Sequence, residues 1–128
     1  MTTEKEIVKN GWIGVDLDGT LAHYDGWKGY EIIGKPIPSM VAKVLDWHEQ
    51  GIEVRILTAR IVDDSGGIHP GAILAIRNWC LMHLGFLPEI TNQKDMGMIE
   101  LWDDRAIQVT LNTGIPVAGS TSRVNFFA

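Results

Sequence analysis

The chain has a single cysteine among its 128 residues, Cys80, so no internal disulfide bond can form. No apolar run approaches the roughly 20 residues that a membrane-spanning helix needs. Basic residues are also fewer than acidic ones: the chain has 11 lysines and arginines and 16 aspartates and glutamates. Residues 1–10 are polar and charged, unlike a secretory signal peptide. These absences predict a cytoplasmic protein that does not span a membrane.

The net charge of −5 limits the partners that the chain is expected to bind. A negative protein is repelled by nucleic acid and by anionic membranes unless a local basic patch compensates. Nucleic acid is therefore a disfavoured partner rather than an excluded one. The length allows one sizeable core but not two, so residues 1–128 are predicted to form a single domain.

Short apolar runs alternate with stretches of helical periodicity, which predicts an α/β fold. We expect a single doubly wound (Rossmann-like) parallel sheet with helices on both faces and a core at about residues 12–111. A tail, residues 114–128, follows. The predicted helices run from about Ile37 to Gly51 and from about Gly71 to Leu84. The predicted strands are Trp12–Leu17, Ile52–Leu57, Glu89–Thr91, Met98–Trp102 and Ala106–Leu111.

Two aspartates, Asp16 and Asp18, stand one residue apart at the end of the first apolar run. Residues i and i+2 of a strand point the same way, so the two carboxylates can share a pocket. Their repulsion favours a bound cation or proton, and Mg²⁺ prefers oxygen ligands. Gly19 then allows a sharp turn and close approach of a ligand. The alternative is an aspartate-rich turn that merely closes the strand.

Three further polar positions follow later apolar runs: Thr58, Lys94 and the pair Asp103–Asp104. In open parallel sheets, ligands bind beyond the carboxyl ends of the strands, so these side chains are expected to meet Asp16. Each also has a structural interpretation. Thr58 could be an ordinary strand terminus and Lys94 a solvated lysine. The acidic pair could form a surface turn with a local ion pair. For Arg105 itself, a structural ion pair is the predicted role.

The order Asp-x-Asp, Thr, Lys, Asp-Asp resembles the four motifs of the haloacid dehalogenase (HAD) superfamily of phosphotransferases, over about residues 12–110. The resemblance implies a phosphohydrolase that works through an aspartyl-phosphate intermediate. It makes Asp16 the nucleophile and Asp18 the general acid and base. It also implies that Thr58 and Lys94 bind the transferring phosphoryl group.

The same resemblance implies a Mg²⁺ cofactor. Its ligands would be the Asp16 carboxylate, the backbone carbonyl of Asp18 and an acid of the last pair, Asp103 or Asp104, with Asp104 slightly favoured. Further predicted phosphate contacts are Gly19 and Ala59.

Two segments of the chain lie where HAD enzymes often carry an inserted cap domain, which affects substrate specificity. The first, about residues 21–36, has room only for a short flap. The second, residues 60–94, is filled mainly by one helix, so we expect no cap domain. Polar and aromatic side chains on a mobile loop are suited to contact substrate, although they could equally pack the flap itself. Arg60 could grip a second phosphate or pair with Asp63 or Asp64. The candidate substrate contacts are His23, Tyr24, Trp27 and Arg60.

The predicted substrate is a small or bulky phosphorylated molecule, and an open site of this kind can also be closed by oligomerisation. The Asp-Asp-Arg sequence at 103–105 and the helix from Ile37 suggest by analogy a polynucleotide 3′-phosphatase. A second hypothesis is a non-catalytic receiver-like module that binds phosphate and Mg²⁺. Receiver domains, however, carry their acidic pair first and the phosphorylated aspartate later, the reverse of the order found here.

Overall fold

A computed structural model describes residues 10–124 of the chain. Four strands and two helices make up its regular structure, together with a short 3₁₀ helix, Ala59–Ile61. In chain order the elements are β1 (Trp12–Val15), α1 (Pro38–Glu49), β2 (Glu53–Leu57), α2 (Pro70–His83), β3 (Glu89–Thr91) and β4 (Met98–Trp102).

The four strands form one open sheet in the order β3-β2-β1-β4, and all neighbouring pairs are parallel. The predicted α/β, Rossmann-like fold is therefore confirmed. β1 lies between β2 and β4, so the residue after β1 is flanked on both sides by strand ends. Parallel strands must be joined by crossovers, and α1 and α2 supply the first two of them.

Each helix begins with a proline, whose missing N–H costs nothing in a first turn. In α1, Met40 and Val44 are buried one turn apart, which fixes the face that packs on the sheet. In α2 the ring nitrogen Nδ1 of His69 accepts a hydrogen bond of 3.0 Å from the backbone N–H of Ala72, capping the helix N-terminus.

Both helices pack on the same face of the sheet. Strands β1, β2 and β3 follow one another in one direction, and right-handed crossovers then place both connecting helices on one side. The two described helices thus depart from the expected arrangement on both faces. Their buried side chains, among them Met40, Val44, Ile76 and Cys80, share one apolar cluster with the inward-facing strand residues Ile13, Val15, Val54 and Ile56.

The opposite face is crossed by the connection from β3 to β4, residues 92–97. Successive side chains of a strand point to opposite faces. Ile13 and Val54 face the core, so their strand neighbours Trp12 and Arg55 point to this opposite face. Asp95 of the connection accepts hydrogen bonds from Trp12 Nε1 (2.8 Å) and Arg55 Nη1 (3.1 Å). A segment with no helix is thereby held against the sheet.

The predicted strand Ala106–Leu111 is wrong. This segment turns back on itself through Asn112, which has a φ of +64°. The backbone of Thr110 donates to Ile115 O, and that of Val117 donates to Gln108 O, both at 2.8 Å. These bonds form a small hairpin-like arm, and β4 remains an outer strand of the sheet, with no further strand beside it among the described residues. The apolar pattern alone could not distinguish a sheet strand from an arm of this kind.

The first strand also ends two residues earlier than predicted. The chain leaves the sheet after Val15, because Leu17 O accepts hydrogen bonds from the backbones of Leu21 and Ala22 in a tight turn. Residues 125–128 of the predicted tail lie outside the described residues. Within residues 10–124, neither helix has the length and apolar character needed to cross a membrane.

Candidate functional site

Polar residues follow three strands directly, at one edge of the sheet. Asp16 comes after β1, Thr58 after β2 and Asp103 after β4. Lys94 lies three residues beyond the end of β3. Because the strands are parallel, these positions share the carboxyl edge, where open α/β sheets bind ligands. All four residues line one cavity of about 740 Å³, together with Asp18 and Ala59.

Three carboxyl groups form an acidic cluster, which we define as Asp16, Asp103 and Asp104. Each offers an oxygen atom, and these atoms all lie within 4.8 Å of one another. Asp16 and Asp103 are half-buried, whereas Asp104 is exposed. An all-oxygen, carboxylate-rich set of donors suits a hard divalent cation such as Mg²⁺. The acidic cluster therefore fits the cation that the sequence motifs imply.

The acidic cluster alters the ionisation of Asp16. Burial, a hydrogen bond with Asp104 and the charges of Asp103 and Asp104 raise the pKa of Asp16 from 3.8 to about 8. Without a cation, Asp16 therefore holds a proton at neutral pH. A divalent ion would replace that proton and leave the carboxylate charged.

We predict that the metal-free protein loses stability as the pH rises from about 4 to about 8. The folded state binds a proton at Asp16 that the unfolded state releases near pH 4, so this stabilisation is present at low pH and lost as pH rises through the folded pKa. Screening in the open cavity limits the loss to about 1–3 kcal/mol. Urea unfolding across this pH range, with a chelator present to keep the protein free of metal, measures the change in the free energy of unfolding.

Asp16→Asn is the matched control, because the amide removes the titration while keeping the shape of the side chain. Its stability should vary less with pH than that of the wild-type protein. Added Mg²⁺ should stabilise the wild type most at the upper end of the range. Equal pH dependence in the two proteins would contradict the assignment.

Asp104 is held by the turn that follows β1. Thr20 Oγ1 donates to Asp104 Oδ1 at 3.2 Å, and the backbone N–H of Asp104 donates to the same hydroxyl oxygen at 3.0 Å. Gly19 lies against this carboxylate with a φ of +91°, and a Cβ atom there would stand 2.5 Å from Asp104 Oδ2. Thr20 was missed as a positioning residue because its partner lies 84 positions away.

Gly19→Ala is expected to destabilise the protein by about 1–3 kcal/mol and to weaken Mg²⁺ binding, because Asp104 must move. Gly66→Ala is a matched control: its φ is +85°, so the backbone cost is similar, but no atom lies within 4 Å of the added Cβ. Thermal unfolding and titration calorimetry with Mg²⁺ measure the two effects. Equal Mg²⁺ affinity in both variants would contradict the close-contact argument.

Thr58 is buried, and its hydroxyl oxygen accepts a hydrogen bond of 3.1 Å from the backbone N–H of Arg60. A hydroxyl that accepts one bond still has its proton to donate. The backbone N–H of Thr58 donates to Thr91 O at 2.9 Å, which ties the ends of β2 and β3 together. Thr58 thus has a fixed position in the cavity wall and a donor available for a ligand.

Lys94 is exposed and lines the cavity. Its neighbour Asp95 accepts hydrogen bonds from Trp12 Nε1 and from the backbone of Gly97, both at 2.8 Å. These contacts fix the segment that carries Lys94. Sequence reasoning missed Asp95, because its indole partner lies 83 residues earlier in the chain.

Arg60 pairs with neither Asp63 nor Asp64. Its Nε and Nη2 atoms donate to the two carboxylate oxygens of Asp18, at 2.9 and 2.7 Å. Asp63 instead accepts from the backbones of Ser65 and Gly67 within its own loop. The candidate substrate contact Arg60 is therefore a buried residue already bound to a predicted catalytic group.

The other candidate substrate contacts border two neighbouring cavities, and Tyr24 lines both of them. Tyr24 and Trp27 line the cavity that contains Asp16, and half of the Trp27 surface is exposed (52%), so part of the side chain is free to meet a ligand. His23 lines a neighbouring cavity of about 610 Å³ instead.

Arg105 also lines the cavity that contains Asp16, which sequence reasoning did not expect. Its backbone N–H donates to Asp103 Oδ1 at 2.7 Å. Among residues 10–124 no acid forms an ion pair with its guanidinium, so the predicted structural ion pair is absent from the described part of the chain.

One cavity at this edge of the sheet thus combines two members of the acidic cluster, Asp16 and Asp103, with a fixed hydroxyl and basic side chains. Comparisons with protein-family models, with curated proteins and with solved structures each found no match for this chain.

Proposed function

We propose that this chain is a Mg²⁺-dependent phosphohydrolase of the haloacid dehalogenase type, acting on phosphomonoesters through an aspartyl-phosphate. The proposal rests on one observation: Asp16 and Asp103 of the acidic cluster line the same cavity as Thr58 and Lys94, at the carboxyl ends of the strands. A phosphate ester is anionic and has a poor leaving group, so its hydrolysis needs a nucleophile, a proton donor and positive charge. The cavity supplies residues for each of these needs.

In the proposed reaction, an Asp16 carboxylate oxygen attacks phosphorus while the bond from phosphorus to the ester oxygen breaks. Asp18, carrying a proton taken from water, gives it to the departing oxygen and returns to the carboxylate that accepts both hydrogen bonds from Arg60. Asp18 then takes a proton from water, which attacks the aspartyl-phosphate and releases inorganic phosphate. Thr58 would donate its hydroxyl to a phosphoryl oxygen, and Lys94 would offset the negative charge of the group in transfer.

Mg²⁺, when bound, neutralises part of the charge of the carboxylates and of the phosphoryl oxygens. The acidic cluster and the backbone carbonyl of Asp18 are the groups that would hold it. The raised pKa of Asp16 supports this requirement, because the nucleophile must be ionised at neutral pH.

Arg105 gives a specific reason to keep a polynucleotide 3′-phosphatase as the second candidate function. Arg105 and Lys94 both line the cavity, where the charge of each could meet a further phosphate of a chain. The net charge of −5 opposes long-range attraction of nucleic acid, so any such binding would depend on this local pair.

The purified protein should hydrolyse p-nitrophenyl phosphate when Mg²⁺ is present. Exhaustive chelation should abolish this activity, and added Mg²⁺ should restore it. Activity that survives chelation would contradict the proposal. A stable phospho-protein that does not turn over would favour the receiver-like alternative.

The preferred substrate can then be identified with a panel of nucleotides, sugar phosphates and 3′-phosphorylated oligonucleotides. Preference for the oligonucleotides, lost in Arg105→Gln, would favour the second candidate function. Preference for a small phosphate ester would exclude it.

A further inference from the structure

Arg60 links two parts of the molecule that are far apart in sequence. Its side chain is almost fully buried, with 2% exposed, and it forms a two-bonded ion pair with Asp18, whose side chain is 18% exposed. The fork geometry of a guanidinium matches that of a carboxylate, so the pair fixes the orientation of both groups. The Asp18 carboxylate is held by Arg60 and does not belong to the acidic cluster.

The remaining nitrogen of Arg60 binds the flap. Its Nη1 atom donates to the backbone oxygens of Gly29 (2.9 Å) and Tyr30 (3.1 Å). The guanidinium carbon also lies 4.8 Å from the centre of the Trp27 ring, a cation–π distance. Tyr30 in turn stacks on His69, with ring centroids 3.9 Å apart. The flap segment at residues 27–30 is therefore anchored by Arg60 and by the stacking of Tyr30 on His69.

We propose that Arg60 is a positioning residue that couples the flap to the side chain of Asp18. When the flap is closed, Arg60 holds Asp18 in its place beside the cavity and away from the acidic cluster. When the flap opens, the guanidinium loses two backbone acceptors and an aromatic partner, and its hold on Asp18 weakens. The part of this inference that concerns proton transfer rests on the proposed function; the mechanical coupling does not.

Arginine suits this role because one planar group satisfies four acceptors at once. A lysine ammonium has three protons and cannot span the carboxylate and both carbonyls in the same arrangement. The coupling also explains how the backbone carbonyl of Asp18 can serve a cation while its side chain stays free of it.

Amide hydrogen exchange across residues 21–36 tests the coupling without reference to activity. We expect Arg60→Met to increase exchange in the flap by about 10-fold or more, and Arg60→Lys to produce a smaller increase. Asp18→Asn should also increase it, because the other end of the link is lost. Combining Arg60→Met with Asp18→Asn should add little to Arg60→Met alone, since both act through one link.

Arg55→Met is the matched control. Arg55 also pairs with acids and lies over an indole, with its guanidinium carbon 4.5 Å from the centre of the Trp12 ring, but it faces the opposite side of the sheet. Its loss should leave exchange in the flap unchanged. If Arg60→Met unfolds the protein, the comparison of Arg60→Lys and Asp18→Asn with Arg55→Met decides the question. Wild-type exchange in the flap of the folded Arg60 variants would overturn the proposal.

Substrates with different leaving groups test the consequence for Asp18. Arg60→Lys should lower turnover of an alkyl phosphate by a larger factor than turnover of p-nitrophenyl phosphate, because only the alkyl leaving group depends strongly on protonation. Equal loss on both substrates would overturn this part. A wild-type protein without phosphatase activity would refute the proposed function, while the exchange data would still decide the coupling.

Discussion

Asp16→Asn is expected to reduce phosphomonoester turnover by at least about 10⁴-fold and to prevent formation of any phospho-enzyme. An amide lacks the negative oxygen that attacks phosphorus, and the change also removes one negative charge from the acidic cluster. Steady-state kinetics measures the loss of turnover. Intact-protein mass after rapid acid quench measures the loss of phospho-enzyme, because a covalent phosphoryl group adds a defined mass.

The control for this change is Asp46→Asn. Asp46 is an exposed residue of α1, where it accepts a hydrogen bond of 2.8 Å from Gln50 Nε2, and it lines neither of the two cavities. The Asp46→Asn variant should turn over substrate at the wild-type rate. The appearance of phospho-enzyme in Asp16→Asn would show that another residue is the nucleophile.

Asp18→Asn is expected to lower turnover by about 10²–10⁴-fold, because it removes the group proposed to donate and accept the proton. Mg²⁺ binding should persist, since only the backbone carbonyl of Asp18 is assigned to the ion. A substrate with a good leaving group needs little protonation, so it should recover part of the phospho-enzyme formation step. Rapid-quench measurements with p-nitrophenyl phosphate and an alkyl phosphate compare the two cases.

This variant also breaks the ion pair with Arg60, so the flap contributes to its phenotype. Arg60→Met separates the two effects, because it frees the flap but keeps the Asp18 carboxyl group, which can still exchange protons although Arg60 no longer holds it. We expect Asp18→Asn to be the more damaging change for the alkyl phosphate. Unchanged steady-state turnover in Asp18→Asn would show that the proton-transfer role is assigned wrongly.

The local pattern of the sequence was sufficient for most of the architecture. Apolar runs and helical periodicity predicted the four strands of the sheet and both helices to within two residues at every end, and their alternation predicted a parallel sheet. A parallel sheet then requires that Asp16, Thr58 and Asp103, each at a strand end, meet at one edge. The convergence of these residues on one cavity followed from strand order and direction alone.

The same reasoning failed where the partner of a segment is not encoded locally. The apolar residues at 106–111 have strand-like character, yet they do not pair with β4, the neighbouring edge strand. They form backbone hydrogen bonds with residues 115–117 instead. Whether an apolar run joins a sheet depends on which edge is free and where the chain leaves it. That is a property of the assembled fold.

The contacts that orient the site were decided only by the tertiary structure. Arg60 bonds to Asp18 across 42 positions, Trp12 to Asp95 across 83, and Thr20 to Asp104 across 84. No periodicity or neighbouring residue marks these partners, because a side-chain pair of this kind forms when two distant backbones are brought within about 3 Å. The sequence therefore determined which chemical groups reach the edge of the sheet. Packing of the loops determined which of them hold one another and which remain free for a ligand.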